Sequence, residues 1–308
     1  MDKKRILLTG ANGMVGKNIL ENSQINKFEM IAPSSAELDL RNYEAVEKYI
    51  LKSKPEMVIH LAGKVGGIQA NIKEPVNFLL ENLDMGMNIV KASRNNGIKY
   101  LLNLGSSCMY PKESYIPLTE DMILKGELEP TNEGYAIAKI VIARLCEYIS
   151  REDNKYQYKT LIPCNLYGRY DKFDPVHSHL IPAIIHKMHE AKINNIDYVE
   201  IWGDGSARRE FMYSGDLAEI IIKAINNFDA LPNYMNIGLG YDFSIDEFYK
   251  VAAEVIGFTG KFVHDRTKPI GMMRKLVNIN HQINLGWNCK VELKEGLNKT
   301  YDFYLKGP

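Results

Sequence analysis

The amino-acid sequence predicts an α/β fold in which a doubly wound parallel sheet is joined to a smaller α/β domain. Short apolar runs alternate with helical patterns through the first half of the 308-residue chain, as in parallel sheets with crossover helices. A glycine-rich turn directly follows the first apolar run. After about residue 165 the loops lengthen and the apolar segments shorten, which indicates a second folding unit.

The individual elements follow from hydrophobic periodicity. Short apolar runs predict buried strands at residues 6–9, 30–32, 57–62, 101–104 and 160–163. The longest helical patterns between these strands are residues 76–95 and 135–151. In the second half, a helix is expected at residues 216–227 and a strand at 234–238.

These elements predict a Rossmann-type domain over residues 1–165, to which residues 214–240 return. Residues 166–213 and 241–308 are expected to form the smaller domain. Because such sheets bind ligands at the carboxyl ends of their strands, we expect the functional residues there.

The composition excludes several functional classes. The chain has 38 basic and 38 acidic side chains, and this balance argues against a general nucleic-acid binder. No apolar run approaches the roughly 18 residues of a membrane span. The four cysteines lack the close spacing of a zinc site, so no metal is expected, and reduced thiols suit a cytoplasmic protein.

The glycine-rich turn, residues 10–16, runs from the first strand into a helix. Glycines there allow a tight turn and the close approach of a pyrophosphate, and the helix N-terminus offers N–H groups to phosphate. The turn therefore predicts a dinucleotide site, whose contacts would be Gly10, Asn12, Gly13, Met14 and Val15.

The end of the second strand bears on the choice between NAD and NADP. An acidic residue there binds the ribose 2′-hydroxyl, but here Ser34 and Ser35 follow the strand, and no acidic residue lies between the strand end and Glu37. NADP(H) is therefore favoured, and Arg41 and the two serines are candidate phosphate contacts. Asp39 and Leu40 are further expected cofactor contacts.

Tyr135 and Lys139 are four residues apart, and thus on one helix face about 6 Å apart along the axis. A free tyrosine has a pKa of roughly 10, which a nearby ammonium is expected to lower. Such a tyrosine can protonate an alkoxide beside a nicotinamide. Ser106 and Ser107, just after the fourth strand, can hold the carbonyl oxygen. Together with the glycine turn, these residues predict a dehydrogenase.

Several longer segments are distinctive. They lie at residues 60–68, 105–111, 128–133, 165–168, 178–183, 202–203 and 209–211. Together, and in this order over nearly the whole chain, they resemble the GDP-L-fucose synthase family of extended short-chain dehydrogenase/reductases. The resemblance implies an NADPH-dependent reductase of a GDP-linked 4-keto sugar that also epimerises C3 and C5, and a homodimer formed through residues 76–95 and 135–151.

The resemblance also assigns roles. Ser106, Tyr135 and Lys139 would form the reductase trio, and Cys108 and His179 the epimerase pair, although His177 is an alternative imidazole. Further cofactor contacts would be Leu61, Ala62, Leu104, Gly105, Pro163, Asn165, Leu166 and His179. Expected substrate contacts are Ser107, Cys108, Asn165, Lys187, Trp202, Arg209, Arg274 and Lys275.

Two alternatives stay open at this point. One is a C4 reductase without epimerase activity that acts on a GDP-4-keto-heptose. The other is a non-catalytic NADP(H)-sensing protein. A 4,6-dehydratase is disfavoured because Ser107 and Cys108 stand where those enzymes carry an Asp-Glu pair.

Overall fold

The computed structural model describes residues 3–174, 178–268 and 272–307. Its strands are β1 (Arg5–Thr9), β2 (Glu29–Ile31), β3 (Met57–His60), β4 (Tyr100–Leu104), β5 (Gln157–Pro163), β6 (Asn165–Tyr167), β7 (Tyr198–Trp202), β8 (Arg208–Arg209), β9 (Phe211–Tyr213), β10 (Tyr234–Ile237), β11 (Phe243–Ser244), β12 (Lys261–Asp265) and β13 (Arg274–Lys275).

Helices of varied length connect these strands. They are α1 (Met14–Leu20), α2 (Tyr43–Ser53), α3 (Ile68–Lys73), α4 (Pro75–Asn95), α5 (Glu133–Glu152), α6 (Leu180–Ile193), α7 (Ser214–Asn226), α8 (Ile245–Ile256), α9 (Asn280–Asn284) and α10 (Leu293–Leu305).

The main sheet has six strands in the order β10-β5-β4-β3-β1-β2, all of them parallel. Helices α1 and α7 cover one face of this sheet, and α2, α4 and α5 cover the other. This arrangement confirms the predicted Rossmann-type fold. Strand β10 joins the sheet beside β5, although the chain forms other elements between them.

The strand order reverses between β1 and β3, so the loops after these two strands flank a crevice. Gly10 follows β1 in the left-handed region, with φ of +73°. A Cβ atom at this position would lie 2.7 Å from the backbone nitrogen of Ala62 after β3. The close approach of the two loops therefore requires glycine at residue 10.

The second part of the chain has its own core, in which α6, α8 and α10 pack around β7 and β9. Phe248, Ile184, Ile201 and Leu297 are among its fully enclosed side chains. Strands β8 and β13 lie side by side in a small sheet with β11, and their register pairs Arg209 with Lys275.

The structure agrees with the sequence-based element bounds to within a few residues for most strands and helices. The third strand is shorter than expected and ends at His60, because residues 61–67 leave the sheet as a loop beside the crevice. Among the described residues, no helix is long and apolar enough to cross a membrane, and no cluster of His, Cys, Asp or Glu is arranged to hold a metal.

We predict that Gly10→Ala destabilises the fold and weakens NADPH binding. The left-handed backbone costs about 1–2 kcal/mol for a residue with a Cβ atom, and overpacking against Ala62 adds about 1–3 kcal/mol. Gly97→Ala is the matched control, because Gly97 has φ of +72° but no atom within 4 Å of the point that a Cβ would occupy. Urea unfolding measures both variants. Equal losses of stability would contradict the close-approach argument.

Candidate active site

A cavity of about 380 Å³ opens along the carboxyl ends of β1 and β3, where the crevice lies. The predicted cofactor contacts that line it are Gly10, Asn12, Gly13, Ser34, Ser35, Asp39, Leu40 and Ala62. Met14 and Val15 open helix α1 at one end of the cavity. The Val15 side chain is buried in the core, so this residue can offer only its backbone N–H to a phosphate.

Two of the three candidate 2′-phosphate contacts, Arg41 and Ser34, are already paired with carboxylates. The Arg41 guanidinium donates two hydrogen bonds to Asp39, at 2.9 Å and 3.0 Å. Ser34 donates from its backbone nitrogen and its hydroxyl to Glu37, at 2.7 Å and 2.8 Å. A bound phosphate would have to compete with Asp39 and Glu37 for the hydrogen bonds of Arg41 and Ser34. The sequence alone did not indicate this competition.

Lys139 lies inside the site, on helix α5. Its Nζ donates a 2.9 Å hydrogen bond to the carbonyl oxygen of Leu104, at the end of β4, and lies 5.8 Å from the Tyr135 ring centroid. Burial lowers the pKa of Lys139 to about 8, and the nearby Cys108 partly opposes this change. The ammonium also helps to keep His60 neutral, because burial and Lys139 together lower the pKa of that imidazole to about 3.

The expectation for Tyr135 requires a correction. Burial raises the pKa of its phenol well above the ordinary value, and a negative charge on Cys108 would raise it further. Interaction with Ser106 lowers the pKa only in part. The cost of removing the phenolate from water therefore outweighs any benefit from Lys139, and the phenol stays protonated in this site.

Ser106 and Cys108 lie on the turn that follows β4. The Ser106 hydroxyl accepts a hydrogen bond from the Cys108 backbone nitrogen at 3.4 Å. Burial raises the pKa of the Cys108 thiol, while Lys275, Ser106 and Lys139 act in the opposite direction. The sulfur is thus a thiol at rest, with two cations near enough to stabilise a thiolate once it forms.

His179 immediately precedes helix α6 and is accessible to solvent. Partial desolvation in the cleft, aided by the charge of Lys172, lowers the pKa of its imidazole. The imidazole is therefore neutral near pH 7. No direct contact between Cys108 and His179 is seen within the described residues, and the alternative imidazole, His177, lies outside them.

The expected substrate cations separate into two groups. Side chains alternate along a strand, so Arg208 and Arg274 lie on one face of the small sheet and Arg209 and Lys275 on the other. Arg208 and Arg274 both bind the buried carboxylate of Asp242, at 2.6 Å and 2.5 Å. Arg274 is thus held in a structural ion pair, whereas Lys275 interacts with Cys108 and Arg209.

Trp202 and Lys187 form a second group, at the end of β7. The half-exposed indole donates a 2.9 Å hydrogen bond to the Glu200 carboxylate. Lys187 donates to the Glu200 carbonyl oxygen at 3.0 Å, and its Nζ lies 5.8 Å from the Trp202 ring centroid. This pair offers an aromatic surface beside a cation.

The other predicted contacts follow the ends of adjacent strands. Leu61, Leu104, Gly105, Pro163 and Leu166 all lie at or just beyond the ends of β3, β4, β5 and β6. Ser107 is buried in the turn after β4. The Asn165 side chain donates to the Glu210 carbonyl oxygen at 2.9 Å, so its amide is already partly engaged.

Glu210 was not assigned a role from the sequence, although its segment was recognised. Its carboxylate accepts backbone hydrogen bonds from Leu239, Gly240 and Val277, at 2.6, 2.9 and 3.0 Å. Burial raises its pKa to about 7, and these three hydrogen bonds oppose the change. Glu210 therefore connects the strands that carry Arg209 and Lys275 to the end of the main sheet.

The structure also shows what residues do in two other segments that carry the family resemblance, residues 60–68 and 128–133. Lys64 binds Glu74 and Glu81, both at 2.9 Å, and its backbone exchanges hydrogen bonds with Asn82 of α4. Residues 128–133 lead into α5, and Glu129 in this segment has a buried oxygen, Oε2, with no hydrogen-bond partner in the described structure.

Comparison with known proteins gives a consistent result. Residues 6–238 match the NAD dependent epimerase/dehydratase family. GDP-L-colitose synthase of Yersinia pseudotuberculosis is 56% identical over 98% of both chains. GDP-L-fucose synthase of Azorhizobium caulinodans is 50% identical over 99% of this chain and 97% of its own.

Solved structures agree with this result. A GDP-6-OMe-4-keto-L-xylo-heptose reductase from C. jejuni superimposes with a TM-score of 0.91 at 31% identity, over 99% of both chains. A GDP-mannoheptose C4 reductase from Campylobacter jejuni with NADP bound has a TM-score of 0.89 at 31% identity, again over 99% of both chains.

Proposed function

The chain belongs to the GDP-L-fucose synthase group of the NAD dependent epimerase/dehydratase family, and we propose that it makes a GDP-linked deoxy sugar. It reduces C4 of a GDP-4-keto-6-deoxy sugar with NADPH, after epimerisation beside the ketone. The observation that carries this proposal is the convergence of Ser106, Tyr135 and Lys139 beyond the end of β4, next to the dinucleotide crevice.

The residues around the crevice suit NADP(H). The loops around Gly10 and Ala62 are in close contact, and the start of α1 faces a cavity large enough for part of a dinucleotide. Residues 1–165 and 214–240 would hold the cofactor, and residues 166–213 and 241–308 the GDP-sugar. When bound, the cofactor supplies the hydride that C4 receives.

Tyr135 supplies the proton that turns the reduced C4 oxygen into a hydroxyl. Its raised pKa suits this direction of reaction, because a proton donor must be protonated before the reaction. Ser106 would hold the same oxygen. Lys139, which is fixed by the Leu104 carbonyl, stabilises the phenolate that is left.

Cys108 and His179 would epimerise the carbons beside the ketone. The C4 carbonyl acidifies the hydrogens on these carbons, and proton removal gives an enolate whose oxygen lies near Ser106 and Tyr135. The pKa directions suggest the starting roles: the neutral imidazole of His179 removes a proton, and the thiol of Cys108 returns one to the opposite face. Lys275 and Lys139 stabilise the resulting thiolate.

The second candidate is reduction of a GDP-4-keto-heptose without epimerisation. The two heptose reductases described above support it, since they share the fold over the whole chain. Their identity to this chain is 31%, whereas the colitose and fucose synthases are 56% and 50% identical, so the deoxyhexose assignment is preferred. A non-catalytic NADP(H) sensor is disfavoured because the chain retains both Tyr135 and Lys139.

We predict that Tyr135→Phe lowers turnover by a factor of about 100 to 10,000, because it removes the general acid. NADPH binding, measured by fluorescence titration, should change little. Tyr198→Phe is the control, since Tyr198 is exposed at the start of β7 and lies outside both the site and the proposed dimer interface. Turnover of Tyr135→Phe close to wild type would remove Tyr135 from the mechanism.

Epimerisation is tested by incubating the protein with GDP-4-keto-6-deoxymannose in deuterated water without NADPH. We expect NMR to detect deuterium at C3 and C5, and the Cys108→Ser variant to incorporate far less. Reduction by the wild-type protein without any deuterium incorporation would instead support the reductase-only alternative.

We also propose that the protein forms a homodimer through α4 and α5. These helices pack against each other and present apolar side chains that are 38% to 62% exposed: Val76, Leu80, Ile137, Val141 and Tyr148. A second copy of the same surface would cover them in a symmetric interface.

Leu80→Glu should convert the dimer to a monomer, because it places a charge in the centre of this apolar surface. Leu51→Glu is the control, since Leu51 is similarly exposed but lies on α2. Sedimentation analysis gives the mass of each variant. A wild-type monomer, or a Leu80→Glu dimer, would refute the interface.

A further inference from the structure

Only one of the two carboxylate oxygens of Glu129 is hydrogen bonded. Its Oε1 accepts hydrogen bonds from the Thr131 hydroxyl at 3.2 Å and the Thr131 backbone nitrogen at 3.5 Å. Its Oε2 is buried and has no hydrogen-bond partner within the described structure. Because a buried carboxylate oxygen without a donor is costly, this oxygen is expected to receive a donor when the site is filled.

Two cations that interact with this carboxylate are on the small sheet. Arg209 and Lys275 are register partners on adjacent strands and lie on the face opposite the Asp242 ion pairs. The charge of Glu129 acts on both of them and raises the pKa of each, against the lowering effect of burial. Neither cation reaches Oε2 within hydrogen-bond distance.

Lys275 links Glu129 to the residues expected around the sugar. Lys275 interacts more strongly with Cys108 than with any other charged neighbour. Cys108 in turn interacts with Tyr135 and Lys139, the residues placed at the reacting carbons. Trp202 and Lys187, which offer an aromatic surface, form a separate group at the end of β7.

The charges of Glu129 and Lys275 favour one kind of ligand group. Phosphate oxygens only accept hydrogen bonds and carry negative charge, so Glu129 would repel them. A hydroxyl can donate through its hydrogen and accept through its oxygen. It would therefore satisfy the carboxylate of Glu129 and the ammonium of Lys275 at the same time.

We propose that Glu129 is a substrate-binding residue whose free oxygen accepts a hydrogen bond from a hydroxyl of the keto-sugar ring, while Lys275 donates to the oxygen of that hydroxyl. The inference rests on the proposed function, because it takes a GDP-sugar as the ligand. It also narrows the expected role of Lys275 from a general substrate contact to a contact with the sugar ring.

The experiment compares Glu129→Gln and Glu129→Ala with wild type, using GDP-4-keto-6-deoxymannose as substrate and GDP as an inhibitor without a sugar ring. We expect KM for the GDP-sugar to rise roughly ten- to a hundredfold, as for loss of a hydrogen bond to a charged group. The inhibition constant of GDP and the Kd of NADPH should stay within about twofold of wild type. Glu133→Gln is the matched control, because Glu133 is exposed at the start of α5.

An unchanged KM in Glu129→Gln would overturn the proposal, because the Glu129 carboxylate would then make no contact with the sugar. A parallel rise in KM and in the GDP inhibition constant would also overturn it, because Glu129 would then act only by shaping the loop. If Glu129→Ala fails to fold, the isosteric Glu129→Gln variant alone tests the proposal. A wild-type protein that binds GDP but does not turn over the keto-sugar would refute the proposed function instead.

Discussion

The hydrogen bond from the Lys139 ammonium to the Leu104 carbonyl is the constraint on which the site depends. It joins helix α5 to the end of β4, although Lys139 and Leu104 are 35 residues apart in the sequence. Because the helix is fixed at this point, Tyr135, one turn earlier, must face the turn that carries Ser106 and Cys108. The same bond compensates in part for burying a charged amine, whose pKa is lowered to about 8.

In the resting site, the groups that exchange protons with the substrate are neutral. Burial keeps the Tyr135 phenol and the Cys108 thiol protonated. Partial desolvation and the charge of Lys172 keep the His179 imidazole neutral. The cations Lys139 and Lys275 stabilise the anions that appear only when a proton has moved. A site of this kind has proton donors and a proton acceptor ready before the substrate arrives.

Local patterns predicted most of the fold, because strands and helices are encoded by periodicity and turns by glycine. The Tyr135–Lys139 pair could be found for the same reason, since residues four positions apart on a helix lie on the same face. What the sequence could not supply were contacts between distant segments. The ion pair of Arg274 with Asp242 and the high pKa of Tyr135 depend on packing between separate elements. The unpartnered oxygen of Glu129 is of this kind too, although its segment had already been singled out.

The position of β10 has a consequence for how the chain is made. Strand β5 pairs on one side with β4, but its other neighbour, β10, follows only after β6 to β9 and helices α6 and α7. During synthesis, β5 is therefore an open edge with unpaired backbone groups until much of the second half has left the ribosome. Such edges attract other chains. The nascent protein is thus most prone to aggregation in this interval, and a chaperone would protect it best there.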